Sequence, residues 1–168
     1  MAASTTVRTT DVIVIGGGQA GLATSRCLAD RGVDHIVFER GDTANSWRTE
    51  RWDSLRLLTP NWMSRLPGWA YRGDDPDGYM TAAQVAESLE AYRRSFDAPV
   101  RTNTEVVRVE PIEGGHRVVT DDGVWQARAV VVATGAFSDP RRPAFADELP
   151  GRIQQLSPIE YRRPAQVA

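Results

Sequence analysis

Short runs of consecutive apolar residues, each closed by glycine or charge, set the architecture of this chain. The first is Val12-Ile13-Val14-Ile15. A half-buried strand alternates apolar and polar residues, whereas an unbroken apolar run predicts a strand of a buried parallel sheet. His35-Ile36-Val37-Phe38 is the second run and Ala129-Val130-Val131-Val132-Ala133 the third. Between the first two, Gln19 to Arg31 reads as a helix stopped by Gly32, with small Ala20, Ala23 and Ser25 near the sheet. Thr81-Ala82-Ala83-Gln84 is a capping box. Val85, Leu89, Tyr92 and Phe96 follow it at helical spacing, predicting a helix with one apolar core face. Glu105–Glu110 and His116–Thr120 read as strands joined at Gly114-Gly115. Asp121-Asp122-Gly123 turns into a third, Val124–Ala127, giving a small meander inserted before the Ala129 strand. Strand, helix, strand in this order predicts an α/β fold with a parallel sheet and flanking helices.

Residues 40–80 show little periodicity and hold Trp47, Trp52, Trp62 and Trp69 among arginines, prolines and glycines. So long a loop inside a compact domain is either wrapped on a ligand or tacked to the sheet by its aromatic anchors. Met1–Thr10 reads as a disordered lead-in without an apolar signal segment.

The chemistry gathers where the first strand ends. Gly16, Gly18 and Gly21 have the G-x-G-x-x-G spacing of a dinucleotide-binding turn, after a strand and before a helix. Gly16 allows the tight exit and Gly18 the approach of a pyrophosphate. Gly21 brings the helix close to the strand, and the helix N-terminus offers free N–H groups to the phosphates. Glu39 closes the second strand at about the distance, roughly 20 residues on, where this fold sets an acid on a ribose hydroxyl. A carboxylate there permits NAD or the ADP half of FAD and opposes the 2′-phosphate of NADP at this turn. The bland alternative is a glycine-rich turn in an ordinary βαβ unit.

Composition narrows the classes. The 168 residues suit one domain, with 41% hydrophobic and 25% charged positions and a net charge of −2, which gives no electrostatic case for nucleic acid. All 20 basic residues are arginine, which excludes lysine Schiff-base and P-loop chemistry. Cys27 is the only cysteine, so no internal disulfide and no Cys-x-x-Cys redox pair can form, as expected in a reducing cytoplasm. Cys27 itself reads as a small packing residue. His35 and His116 are far apart in sequence and predict no metal site, His116 being solvated beside its turn. No apolar run is long enough to span a membrane.

The glycine turn, the Ala133-Thr134-Gly135 strand end and the sequence between them resemble the two-dinucleotide-domain flavoproteins. More closely, Ser46-Trp47-Arg48, Asp53-Ser54-Leu55-Arg56-Leu57-Leu58-Thr59-Pro60 and Ala133-Thr134-Gly135-Ala136-Phe137-Ser138-Asp139-Pro140 resemble the flavin-containing monooxygenases, including their bacterial and YUCCA-like relatives. The likeness runs from about Thr10 to Pro164. It implies a Rossmann-like FAD-binding domain over 11–145. Residues 146–168 would then be a linker toward an NADPH-binding domain, with Gln155 or Ser157 nearest a histidine that relatives carry there. One glycine turn is present where such enzymes have two, so the chain is expected to be the N-terminal part of a longer enzyme.

The resemblance also implies roles. FAD, reduced by NADPH, would carry oxygen as a C4a-(hydro)peroxyflavin to a small nucleophilic substrate, so no catalytic acid–base pair is expected. Gly16, Gly18, Gln19, Ala20 and Gly21 would hold the pyrophosphate and Glu39 the adenosine ribose. Arg40, Trp47 and Arg48 would flank adenosine and pyrophosphate. Thr59 would lie near the flavin ring, and Val107 would meet adenine through its backbone. Ala133, Thr134 and Gly135 would pack near the phosphate turn. The isolated chain is expected not to turn over NADPH. The other readings are a non-oxygenating flavin or nicotinamide oxidoreductase, a shortened non-catalytic nucleotide-binding protein, and a single-domain NAD-binding protein.

Overall fold

Two apolar layers sit on the two faces of one sheet. The computed structural model describes residues 7–136 and 139–167. Its elements are β1 (Arg8–Ile15), α1 (Gln19–Ala29), β2 (His35–Phe38), α2 (Asn45–Thr49), α3 (Ala82–Arg94), β3 (Val100–Arg101), β4 (Val106–Ile112), β5 (Gly115–Thr120) and β6 (Gly123–Val132), with short 3-10 turns between. The sheet order is β3-β2-β1-β6-β5-β4. β3, β2, β1 and β6 run parallel, and β6, β5 and β4 pair antiparallel.

Period-two alternation divides the core. On one face Leu22 of α1 and Val85, Ala86, Leu89 and Tyr92 of α3 bury together with Met80. On the other, Ile13, Phe38, Val118, Trp125 and Ala127 close on one another, and the Phe38 and Trp125 rings meet edge-on at 5.3 Å. The guanidinium groups of Arg8 and Arg101 lie 5.4 and 5.7 Å from the Trp125 ring and cover it.

Sequence and structure part at several places. The expected meander strand at Val124–Ala127 and the Ala129 strand are one ten-residue strand, β6. Its first half lies between β1 and β5, so the meander extends the main sheet, which is mixed rather than wholly parallel. Arg8, Thr9 and Thr10 are strand, not lead-in, because Trp125, Gln126 and Ala127 give them partners. Residues 1–6 of that lead-in lie outside the described residues, as do Phe137 and Ser138. Val132, expected buried, is 70% exposed at the end of β6. The His116 ring is half-buried rather than solvated, and its Nδ1 is buried without a partner among the described residues.

α1 ends at Ala29, two residues short of the expected Arg31, and Ser25 is fully buried. The His35 ring links helix to sheet. Nδ1 lies 2.8 Å from the Val33 carbonyl oxygen and so carries the proton, leaving Nε2 to accept from the Ser25 hydroxyl at 2.8 Å. α1 also lies close to β1. A Cβ on Gly21 would stand 1.8 Å from the Gly16 carbonyl oxygen, a contact no side chain survives.

α3 begins as the capping box requires: the Gln84 amide donates to Thr81 Oγ1 at 3.3 Å and Gln84 Oε1 accepts from the Thr81 amide at 2.9 Å. Burial pushes the Tyr92 phenol up to about 12, and its hydroxyl donates to the Pro67 carbonyl oxygen at 2.8 Å. On the exposed side Glu90 accepts from Arg93 at 2.8 and 3.0 Å and from Arg94 at 2.9 Å. These bonds hold its carboxyl at about 2.

Two outcomes follow from these contacts. Gly21→Ala is expected to destabilise the fold by about 1–3 kcal/mol, measured by urea unfolding. Because the folded carboxyl of Glu90 titrates below its unfolded value, its stabilisation is complete above about pH 4.5 and fades as pH falls toward 2. Glu90→Gln should therefore cost about 0.5–1 kcal/mol at pH 7 and almost nothing at pH 2.

Candidate functional site

The site forms where three parallel strands end side by side. Gly16 leaves β1 with φ +109°, a conformation open to glycine, and a Cβ there would meet the Ala133 carbonyl oxygen at 2.4 Å. Its amide donates to the Phe38 carbonyl oxygen at 2.7 Å, while the Ala133 amide donates to Ile15 at 2.8 Å. The ends of β1, β2 and β6 are thus tied together.

Glu39 completes the tie. Its carboxylate is buried and accepts the Gly17 amide at 2.7 Å and the Gly41 amide at 3.0 Å, one on each oxygen. The Ala44 amide donates to the Gly17 carbonyl oxygen at 3.3 Å, so the loop after β2 is fastened to the glycine turn. Ala44 itself sits in the left-handed region, φ 59°, at the start of α2. That strained residue lies in the wall of the site, where backbone strain is commonly concentrated.

Around the turn opens a cavity of about 590 Å³, within the range of ligand sites. Gly16, Gly18, Gln19, Ala20, Glu39, Arg40, Trp47, Ala133, Thr134 and Gly135 line it. Ala20 therefore faces the cavity, not the sheet as the helix pattern suggested. Gly21 does not line it; it packs beneath, against Gly16. Arg48 is exposed outside the lining, and Val107 is 67% exposed on β4 while Val106 reaches the side cavity described below. Thr59 lines a different, second cavity.

Several lining residues were not expected at the site: Ala44, Asn45, Glu50, Arg51 and Leu66, together with Ala23, read as facing the sheet, Ser46, read only as part of a motif, and Val132, read as buried strand. Arg51 stands where Arg48 was expected, its guanidinium 5.0 Å from the Trp47 ring. Glu50 holds Arg40 in an ion pair of 2.8 Å. The run Trp47–Arg51 holds two arginines, Arg48 and Arg51, and the turn of a five-residue helix decides which of them faces inward. The described end of the chain meets this wall from outside. Arg162 Nη1 donates to the Arg51 carbonyl oxygen at 2.6 Å, and the Asp53 amide donates to the Arg162 carbonyl oxygen at 2.9 Å.

The geometry suits a dinucleotide. The first amides of α1 have no intrahelical acceptor and no side chain caps them, so they and the positive helix end are left to an anion. Gly18 has ordinary φ, −85°, yet a Cβ there would meet no protein atom; it would stand in the space a diphosphate needs. A side cavity of about 160 Å³, lined by Ile15, Phe38, Thr104 and Val106, shares Gly16, Glu39, Arg40 and Thr134 with the main one. Its size suits a flat base at the end of the sheet. Among the described residues no group of three or more His, Cys, Asp or Glu could hold a metal ion, and no helix is long and apolar enough to cross a membrane.

Known proteins are similar to this chain in sequence and fold. An uncharacterized CzcO-like oxidoreductase of Geobacillus kaustophilus is 40% identical over 94% of this chain and 45% of its own. The probable indole-3-pyruvate monooxygenase YUCCA1 of Arabidopsis thaliana is 36% identical over 83% of this chain and 34% of its own. The structure of a double mutant of the flavin monooxygenase from Stenotrophomonas maltophilia superposes with a TM-score of 0.85 at 33% identity, over 96% of this chain and 49% of that one. The chain thus spans about half, or less, of the length of the relatives it matches. Residues 13–161 match the pyridine nucleotide-disulphide oxidoreductase family, and the chain belongs to it.

Proposed function

We propose that this chain is the FAD-binding part of an NADPH-dependent flavoprotein monooxygenase that oxygenates a small nucleophilic molecule. The observation that carries the reading is the bare Gly18 backbone at an uncapped helix end, facing a cavity with a buried carboxylate at its side. Similarity to flavin monooxygenases supports the choice of FAD over NAD alone.

The residues divide the dinucleotide among them. Amides of the Gly18–Ala20 turn and the α1 dipole would receive the diphosphate. Glu39 would accept from a ribose hydroxyl; its two amide bonds already fix the carboxylate, so little orientation entropy is lost on binding. The side cavity would take adenine against Val106 and Phe38. Trp47 and Arg51 would close the outer wall as a stacked pair. Bound FAD supplies the hydride-accepting and oxygen-carrying chemistry. The protein would contribute orientation and exclusion of water.

The sequence holds one dinucleotide turn, so one dinucleotide is assigned to it. NADPH binding and oxygen transfer belong to the longer protein, and the lone cysteine is consistent with work in a reducing compartment.

Titration with FAD, followed by visible absorbance and tryptophan fluorescence, tests the reading. The chain should bind FAD, and Gly18→Ala should weaken binding at least tenfold with an unchanged unfolding midpoint. Equal FAD affinity in the two proteins would refute the site. In an oxygen electrode the 168-residue chain with FAD and NADPH should consume no oxygen above the free-flavin background. Consumption that depends on the chain would refute the division of labour.

A further inference from the structure

Apart from Thr59, expected near the flavin ring, and Gln19 and Trp47 at its mouth, the residues of the second cavity carry no role given above. It measures about 180 Å³ and lies beyond Gln19, Trp47 and Leu66, which it shares with the main cavity. We propose that it is a subsite for a small organic acid, one aromatic ring or branched alkyl group carrying a single carboxylate.

Size comes first. A dry apolar cavity of about 150 Å³ takes one benzene ring. A space of about 180 Å³ therefore admits one ring with a short substituent and is less than the three fused rings of a flavin would fill.

Chemistry comes second. Leu57, Trp69, Met80, Val85 and Leu89 make the body of the wall apolar. Trp69 is held in place: its Nε1 donates to Ser88 Oγ at 3.4 Å and its ring lies 5.8 Å from the Tyr92 ring. Such a wall favours a rigid ring without having to order itself on binding.

Charge decides the class. Arg65 is the one charged side chain of the lining, and no acid faces it there. Its Nε donates to the Trp62 carbonyl oxygen at 3.2 Å, and among the described residues it pairs with no carboxylate. The guanidinium stands at the solvent side with hydrogen-bond donors to spare, a planar fork suited to a carboxylate. The hydroxyls of Thr59, Ser64 and Ser88 are the neutral polar groups beside it. An amine would meet the arginine as a like charge, and a neutral ring would gain only burial.

The shared wall gives the subsite its place. A molecule in it touches Trp47 from one side while the main cavity opens on the other. That the bound acid is the molecule oxygenated rests on the proposed function; the binding itself does not.

Three probes separate the possibilities: phenylacetate, benzyl alcohol and benzylamine, followed by saturation-transfer NMR on the 168-residue chain, with flavin content read from absorbance. Phenylacetate should bind at least tenfold tighter than benzylamine. Arg65→Gln, an exposed substitution, should lower phenylacetate affinity about five- to tenfold and leave benzyl alcohol unchanged. FAD, where it binds, should not displace phenylacetate. Equal binding of acid and amine, indifference to Arg65→Gln, or displacement by FAD would each overturn the proposal. Phenylacetate binding with this charge preference in a chain that takes up no flavin would uphold the subsite and remove the flavoprotein reading alone.

Discussion

The buried carboxylate of Glu39 is the contact on which the site depends. It accepts one amide from the glycine turn and one from the loop that follows β2, and so joins two chain segments that are separate in sequence. Left without those donors, a carboxylate so little exposed would face a large desolvation cost. With them, the Gly17 amide points inward at Glu39, and the amides that follow are left to the helix end. The same group that could read a ribose is therefore the one that shapes the phosphate turn. Loss of its charge would disturb both, which makes binding and local structure inseparable at this residue.

Around that contact, charge is kept close to balance. Arg40 is neutralised by Glu50, and the Arg51 guanidinium spends its face on Trp47. Neither arginine is aimed as a lone cation into the cavity. In the proposed reading, recognition of a diphosphate would thus fall on backbone amides and the helix dipole, which are fixed before a ligand arrives. The arginines set the wall. This division explains the glycines at 16 and 18: the backbone would be the binding group, and a side chain on Gly18 would stand in its way.

What the amino-acid order made legible was the part that depends on local rules. The spacing of Gly16, Gly18 and Gly21, the Thr81–Gln84 capping box and the unbroken run before the turn each express one element with one steric or hydrogen-bonding need. What stayed hidden depends on partners distant in sequence. β6 looked like two strands because Gln126 and Arg128 interrupt its apolar residues; in the sheet those are outward positions of a strand that has β5 on one side and β1 on the other. Arg8–Thr10 look polar and loose until Trp125–Ala127 lie beside them. Arg51 rather than Arg48 faces the cavity because α2 has only five residues and starts from a left-handed Ala44, a phase no periodicity can report.

The loop that carried no period proves to be the structural bridge between both cavities. Trp47 is shared by the two, Leu66 is shared by the two, and the backbone between them runs through the rim of the second. Irregular backbone has to find its hydrogen bonds one at a time. Here Asn61 supplies them, its side chain donating to the Asp75 carbonyl oxygen at 2.8 Å and accepting from the Met80 amide at 2.9 Å. Asn61 is 4% exposed and so acts from inside the loop, drawing its two arms together beneath the exposed Leu58, Trp62 and Met63. A segment held in this way can keep a wall of large side chains in place without a helix or strand of its own. Of the four tryptophans of this loop, Trp47 lines both cavities, Trp69 braces the second against α3, and Trp52 and Trp62 remain at the surface.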